Sequence, residues 1–370
     1  MKIAILTLNG YENYGNRLQN YALERILSQF GEVVTLFQHR GNYAINQKNF
    51  LSLYNQFSYK SKAELLDTIK KEIVIKDGAD AKITRFLNFK VFSEKHLNEV
   101  YYLINEDMVL ENIYSDFDYF VVGSDQVWNP VWQKGNYNCL LPFDTKAKKI
   151  SISASFGVDN LGDKKDWYKQ YLSLFDYITV REYKGIEILA GLGIESELCL
   201  DPTLLLPTEH WKSKLLDVVE DKKYIILYFL GGVQADSLVE LISQINKNNE
   251  YKIINFNDIK DSVYYSMDPF QFISYINSAE LILTDSFHGL VFANIFNTPY
   301  IIFERSSSLP NMNSRIETMD ILFNVGTRKY ENIKHDIEQV FNADFNNFNV
   351  NIEPIRLNSY QKIKLMLGEK

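Results

Sequence analysis

The stretch Thr284, Asp285, Ser286, Phe287, His288 and Gly289 brings together the residue types that proton transfer needs. It follows an apolar run at 281–283 and opens a segment of helical spacing that reaches 296. Ser286 is placed to cap that helix, leaving His288 in its first turn, beside unpaired backbone N–H groups and the positive end of the helix dipole. An imidazole there can accept or relay a proton. Gly289 removes a side chain where a substrate could approach. The other histidines, His39, His96, His210 and His335, read as loop or surface residues.

Groups that could hold an anion are scarce. Of 39 basic residues, 30 are Lys and nine are Arg. Lysine serves general solubility, whereas guanidinium is a planar fork matched to carboxylate and phosphate. Arg181 closes the apolar run 177–180 and precedes Glu182, so it is either a fork for a ligand or half of an ion pair tying the next helix. Arg305 follows the run 300–303, and Arg315 follows Asn311, Met312, Asn313 and Ser314. Each of these two grips a phosphate or carboxylate, or else makes a surface or interdomain ion pair. Arg17, in the first turn of a helix, points either to ligand or to a carboxylate on a helix face.

Two more loops carry ligand-binding residue types. Asn9, Gly10, Tyr11, Glu12, Asn13, Tyr14 and Gly15 join the first apolar run to a helix, and the segment reads either as a flexible βα turn or as a site where glycines let backbone N–H groups approach an anion or sugar. The loop has neither G-x-G-x-x-G nor a Walker lysine, which argues against a dinucleotide or ATP phosphate loop. Gly123, Ser124, Asp125, Gln126, Val127, Trp128, Asn129 and Pro130 follow the run 119–122. Trp128 reads either as a platform for a sugar face, with Asp125 and Asn129 bonding hydroxyls, or as a core residue behind an Asx-type turn.

The elements that would position these loops alternate. Apolar, β-branched runs at 3–8, 33–37, 118–123, 149–155 and 177–180 predict strands, with helices at 16–29 and 184–190 and a charge-rich helical insertion at about 60–98. A second set predicts strands at 224–230, 251–256, 281–283 and 300–303, with helices at 236–247, 269–279 and 287–296 and a Gly-Gly turn at 231–232. The expected architecture is α/β, with two Rossmann-like domains: 1–205, then 206–345 carrying the His288 loop. An Asn-rich loop is expected at 342–351, and the tail 346–370 is expected to hold a final helix at 357–367 that packs back on the first domain. In open parallel sheets ligands bind outside the strand carboxyl ends, where every candidate loop lies.

Composition narrows the function classes. With 46% hydrophobic and 23% charged residues the chain is an ordinary globular protein, and a net charge of -8 without a basic run argues against nucleic-acid binding. Cys139 and Cys199, in apolar surroundings without C-x-x-C spacing, read as reduced core thiols, and no metal site is expected. The first residues, MKIAILTL, read as a buried strand rather than a signal peptide, and no run approaches the ~20 apolar residues that span a bilayer.

Four segments occur in a recognisable order: NYGNRLQNYAL at 13–23, VVGSDQVWNP at 121–130, ITVRE at 178–182 and LTDSFHGLVFANIFNTPYI at 283–301. Together they resemble the polysaccharide pyruvyl transferase family over about residues 10–325. The resemblance implies a GT-B-like arrangement with a cleft between the domains, the acceptor on the first and the donor on the second. It implies transfer of pyruvate from phosphoenolpyruvate to two hydroxyls of a sugar, giving a cyclic ketal and phosphate, with no other cofactor. His288 matches the family's catalytic histidine, Arg181 an arginine that handles the anionic donor, and Arg305 or Arg315 a downstream basic residue. Many members carry Arg two positions before the histidine, where this chain has Ser286. The substrate-binding set expected on these grounds is Arg305, Arg315, Ser286, Gly289, Asp125, Trp128, Asn129, Asn13, Gly15 and Arg17. The family context implies a cytoplasmic enzyme of surface-polysaccharide assembly acting on a sugar or lipid-linked oligosaccharide, with at most peripheral contact to the inner membrane. Two other readings remain at this point: a glycosyltransferase using a nucleotide sugar, and a non-catalytic glycan-binding protein.

Overall fold

The structure, a computed structural model, describes residues 1–8, 10–39, 79–103, 116–132, 137–231, 235–305, 313–334 and 336–369. Asn9, the first part of the helical insertion, Gly232, Asn311, Met312 and His335 lie outside the described residues. The rest of the insertion is the helix Ala79–His96.

The first sheet contains β1 (Lys2–Leu6), β2 (Glu32–His39), β3 (Glu99–Leu103), β4 (Tyr119–Val122), β5 (Lys148–Ala154), β6 (Tyr177–Val180) and β7 (Glu197–Leu198), in the order β3-β2-β1-β4-β5-β6-β7. The second contains β8 (Tyr224–Tyr228), β9 (Lys252–Asn255), β10 (Leu281–Thr284) and β11 (Tyr300–Ile302), in the order β11-β10-β8-β9. Every pairing in both sheets is parallel. The expected pair of Rossmann-like units is therefore what the chain forms.

Near-continuous apolar runs become such strands because helices cover both faces of a parallel sheet. Ala4, Leu6, Phe120 and Val122 face one core with Trp128 and Phe156. Their alternates Ile3, Ile5 and Val121 face another, which continues through the helix Tyr14–Leu27 to Ile226, Tyr228, Phe272 and Ile282 of the second unit. One hydrophobic core thus joins the two sheets, and Tyr14 stacks on Phe272 with ring centroids 4.3 Å apart.

Strand order also fixes where loops diverge. Neighbours β1 and β4 send their connections to opposite sides, as do β8 and β10, and each such point opens a crevice at the strand carboxyl ends. The loop that leads to Gly15 and the loop holding Asp125 leave the first crevice, and the loop that leads to His288 leaves the second.

Among the elements that differ from expectation are two strands and a helix. Strand β3, EVYYL, lies where no strand was predicted, because a short edge strand behind a charge-rich helix shows no clear alternation. The two-residue β7 is too short to register as a pattern. The last helix runs from Asn346 to Met366, through the Asn-rich stretch read as loop and through Pro354. Phe348, Ile352, Arg356, Ser359, Ile363 and Met366 are buried along it at helical spacing, and that packing outweighs the weak propensities of Asn and Pro. This helix donates from Arg356 Nε to the Leu204 carbonyl at 2.9 Å and from Lys362 Nζ to the Leu198 carbonyl at 2.9 Å.

Candidate active site

Ser286 caps the helix Phe287–Phe296, its hydroxyl accepting from the Gly289 N–H at 3.3 Å. Gly289 serves packing: a Cβ there would stand 2.8 Å from Thr284 Oγ1, so its side-chain space is filled by protein rather than open to a substrate. His288, 6% exposed, lies between the two units. On one side an ideal Cβ on residue 15 would fall 2.0 Å from His288 Nδ1, so only glycine lets the Tyr14–Leu27 helix approach the ring. On the other side Nε2 is buried, without a hydrogen-bond partner, 3.7 Å from Asp201 Oδ2.

Asp201 begins the helix Pro202–Leu205 as its N-cap. Its Oδ1 accepts from Thr203 N at 3.0 Å and Thr203 Oγ1 at 2.6 Å, while Oδ2 accepts from Arg181 Nη1 at 2.6 Å and Ser124 Oγ at 3.0 Å. Arg181 Nη2 reaches Asp125 Oδ1 at 3.0 Å, and its Nε stands 3.8 Å from Glu182 Oε2. Arg181 is thus ion-paired with Glu182 at the start of the next helix and also with Asp201, which stands 3.7 Å from His288.

Burial disfavours every charge in this cluster, and the neighbours of each group decide whether burial prevails. For Asp201, burial is outweighed by His288 and Arg181 with the Thr203 hydroxyl, which hold its carboxyl far below the usual range. For Asp125, burial is outweighed by Arg181, with His288 and Arg315, and its carboxyl is likewise held down. Burial pushes Glu182 up, only partly offset by Arg181 and Arg315. Glu182 Oε1 accepts from Phe156 N at 2.9 Å, so this carboxylate also fixes the loop after β5.

Arg305 and Arg315 come from the second unit. Arg305 Nε pairs with Asp285 Oδ2 at 3.1 Å, and Asp285 in turn accepts from Leu230 N at 2.6 Å and Gly231 N at 2.7 Å. Arg315 lies beside the Gln126 carboxamide, whose oxygen accepts from Nη1 and Nη2 at 2.8 Å when turned toward the guanidinium. Burial, with repulsion from Arg181 and Arg305, pushes Arg315 down to about 9. The Phe287 ring lies under both Arg181, at 4.7 Å, and Arg315, at 5.9 Å. The second unit therefore brings two guanidinium groups to the edge of a cluster that the first unit holds.

Four candidate residues have other work. Trp128 is 1% exposed, donates from Nε1 to the Cys139 carbonyl at 2.8 Å and packs on Phe156, so it is a core residue and not a sugar platform. Asn129 is buried with it, its Oδ1 accepting from Val131 N at 2.9 Å and its amide 2.7 Å from the Gln126 carboxamide, so it shapes the loop instead of meeting sugar hydroxyls. Arg17 is fully buried and bound to Glu99 Oε1 at 2.5 Å and to the Leu8 carbonyl at 2.9 Å, so it meets a carboxylate, though one on strand β3 and not on a helix face. Asn13 is the N-cap of the Tyr14–Leu27 helix, its Oδ1 accepting from Asn16 N at 3.1 Å.

Asp201 and Arg85 went unnoticed in the sequence. Asp201 precedes Pro202, a helix-start signal that marks the residue as a cap without revealing the second role of its other oxygen. Arg85, buried on the helix Ala79–His96, donates from Nε to the Glu12 carbonyl at 3.1 Å and from Nη1 to the Tyr265 carbonyl at 2.6 Å. It clamps the loop before Gly15 onto the second unit, a role that spacing in a charge-rich helix does not disclose.

Comparison with known proteins bears on this geometry. The family model described as polysaccharide pyruvyl transferase matches residues 13–307. Among curated proteins none matches. Solved structures similar to this chain include UDP-GlcNAc 2-epimerase from Neisseria meningitidis, with a TM-score of 0.48, 11% identity and 99% of each chain covered. The UDP-GlcNAc 2-epimerase from Methanocaldococcus jannaschii gives 0.46 and 16%, covering 97% of this chain and 100% of that one. The glycotransferase of kitacinnamycin gives 0.46 and 8%, with 99% of each chain covered. The family match spans most of the chain, including the loops of Gly15, Asp125, Arg181, Asp201 and His288, and the chain belongs to the polysaccharide pyruvyl transferase family of transferase enzymes.

Proposed function

We propose that the enzyme moves pyruvate from phosphoenolpyruvate onto two hydroxyls of a sugar, forming a cyclic ketal and releasing phosphate. The observation that carries this reading is the meeting of a proton-carrying ring with guanidinium groups from both units: His288 and Arg181 around Asp201, with Arg315 across Phe287. The donor bears a carboxylate and a phosphate, and two forks orient it. A sugar hydroxyl attacks C2 of the donor as its C3 gains a proton; phosphate departs, the second hydroxyl closes the ketal, and each hydroxyl gives up its proton. His288 is the group that moves these protons, Arg181 with Arg305 or Arg315 holds the donor, and Asp125 lines the cleft.

The acceptor is a sugar or lipid-linked oligosaccharide, in keeping with the family's name, and phosphoenolpyruvate is the donor co-substrate. The place of action is the cytoplasmic side, with the membrane touched at most from its surface. Among the described residues no helix is long and apolar enough to cross a membrane. A thermal-shift comparison tests the donor: stabilisation by phosphoenolpyruvate supports the proposal. Stabilisation by nucleoside diphosphates alone would favour a nucleotide-sugar glycosyltransferase, and by glycans alone a glycan-binding protein.

A further inference from the structure

Asp201 has an arrangement that capping a four-residue helix does not require. Oδ1 alone makes the cap, through Thr203 N and the Thr203 hydroxyl. Oδ2 faces the opposite way, into a pocket where Arg181 Nη1, Ser124 Oγ and the otherwise unpartnered His288 Nε2 converge. The carboxylate is 1% exposed, so no water shell competes for that oxygen. The 3.7 Å to Nε2 exceeds a hydrogen bond, and catalytic pairs that stand apart without substrate commonly tighten when it binds.

We propose that Asp201 is the positioning residue of the site, holding the His288 ring as the tautomer protonated on Nε2 and locking Arg181 in the same grip. An anionic oxygen opposite a ring nitrogen selects N–H at that nitrogen, which leaves the other nitrogen with its lone pair. That other nitrogen, Nδ1, faces the place where residue 15 has no side chain. The lone pair of His288 is thus on Nδ1, which packs against the first unit at Gly15, where any side chain would collide with the ring. Asp125 is engaged by Arg181 Nη2 and Gln126 N, whereas Asp201 Oδ2 stands 3.7 Å from Nε2, so Asp201 is the carboxylate that sets the tautomer. The catalytic meaning of this arrangement rests on the pyruvyl-transfer reading; the tautomer does not.

The test uses the full chain labelled with 15N-histidine, with the His288 ring signals identified by their loss in His288→Gln. In mildly alkaline buffer the wild-type ring is expected to show the proton on Nε2. Asp201→Asn keeps a side-chain cap, since Asn caps as well as Asp, but removes the charge. It is expected to abolish the Nε2–H preference and to weaken phosphoenolpyruvate binding through the loosened Arg181. Thr203→Val removes one bond to Oδ1 only and is expected to leave the ring spectrum unchanged. A wild-type ring protonated on Nδ1, or an Asp201→Asn ring indistinguishable from wild type, overturns the proposal, and the first result needs no Asp201 variant to fold. Failure of phosphoenolpyruvate to bind the wild type would instead sink the functional reading and leave the tautomer result standing.

Discussion

His288 and Arg181 invite different experiments because they are tied into the protein differently. His288 touches its surroundings mainly through packing, so His288→Ala is expected to leave the fold intact and to lower the transfer rate by about 10²–10⁴-fold, the usual contribution of a positioned acid or base. Near-normal transfer by a folded variant would remove it from the proton path. Arg181 is the counter-charge of Asp125 and Asp201. Arg181→Met strands those carboxylates, and a loss of about 3–5 kcal/mol of stability is expected in chemical denaturation. A loss below 1 kcal/mol would mean that the cluster is not paired as described. Trp128 contrasts with both: its alternatives could not be separated from residue type, since an indole suits a sugar face and a core alike, and only the Phe156 contact and the Cys139 carbonyl decide for the core.

At the level of elements, the parallel strands and the His288 loop were legible because their signals are local: apolar runs, Ser286 as a cap, and Gly289 in the first turn. What could not be read depends on partners far along the chain. Arg17 finds Glu99 on an edge strand, and Asp201 finds Arg181 twenty residues away. The Asn-rich start of the last helix is helical only because Phe348 and Ile352 have a core to enter. The cap at Asn13 belongs to this scale. Asn13→Ala is expected to cost about 1 kcal/mol in thermal or chemical unfolding, and to disturb Gly15 and with it the seat of His288. Gly15→Ala is the sharper probe, because its Cβ would collide with the imidazole ring. A folded Gly15→Ala variant that transfers pyruvate at the wild-type rate would show that this approach is not needed for the reaction.

Over the whole molecule, the two units share an aromatic seam that carries titratable rings. Tyr21 bonds the His210 ring at 3.0 Å, and His96 packs against Tyr21, Phe92 and Phe270. Burial, with Arg25 and Lys214 nearby, lowers both His96 and His210 below the ordinary histidine value. A base depressed in the folded state binds its proton more readily when unfolded, so stability rises with pH across this range. The seam's contribution is expected to be complete above about pH 6.5 and to decline as the pH falls below it. Thermal unfolding should show that decline, and His96→Gln with His210→Gln should flatten it; an unchanged slope would place the pH dependence elsewhere.

Arg181 is paired with Asp125, Asp201 and Glu182 and Arg305 with Asp285, while Arg315 lies beside Gln126, so the site is a charge-paired network rather than a cationic pocket. A few oriented forks, not net positive charge, must then recognise the donor. Phosphate release from phosphoenolpyruvate in the presence of candidate acceptor glycans, followed with mass analysis of the glycan, tests that account directly. Acceptor-dependent phosphate release, a glycan heavier by one pyruvate less one water, and loss of both in His288→Ala are expected. Acceptor-dependent release that persists in a folded His288→Ala variant, or a glycan that gains a sugar from a nucleotide donor instead, would contradict it.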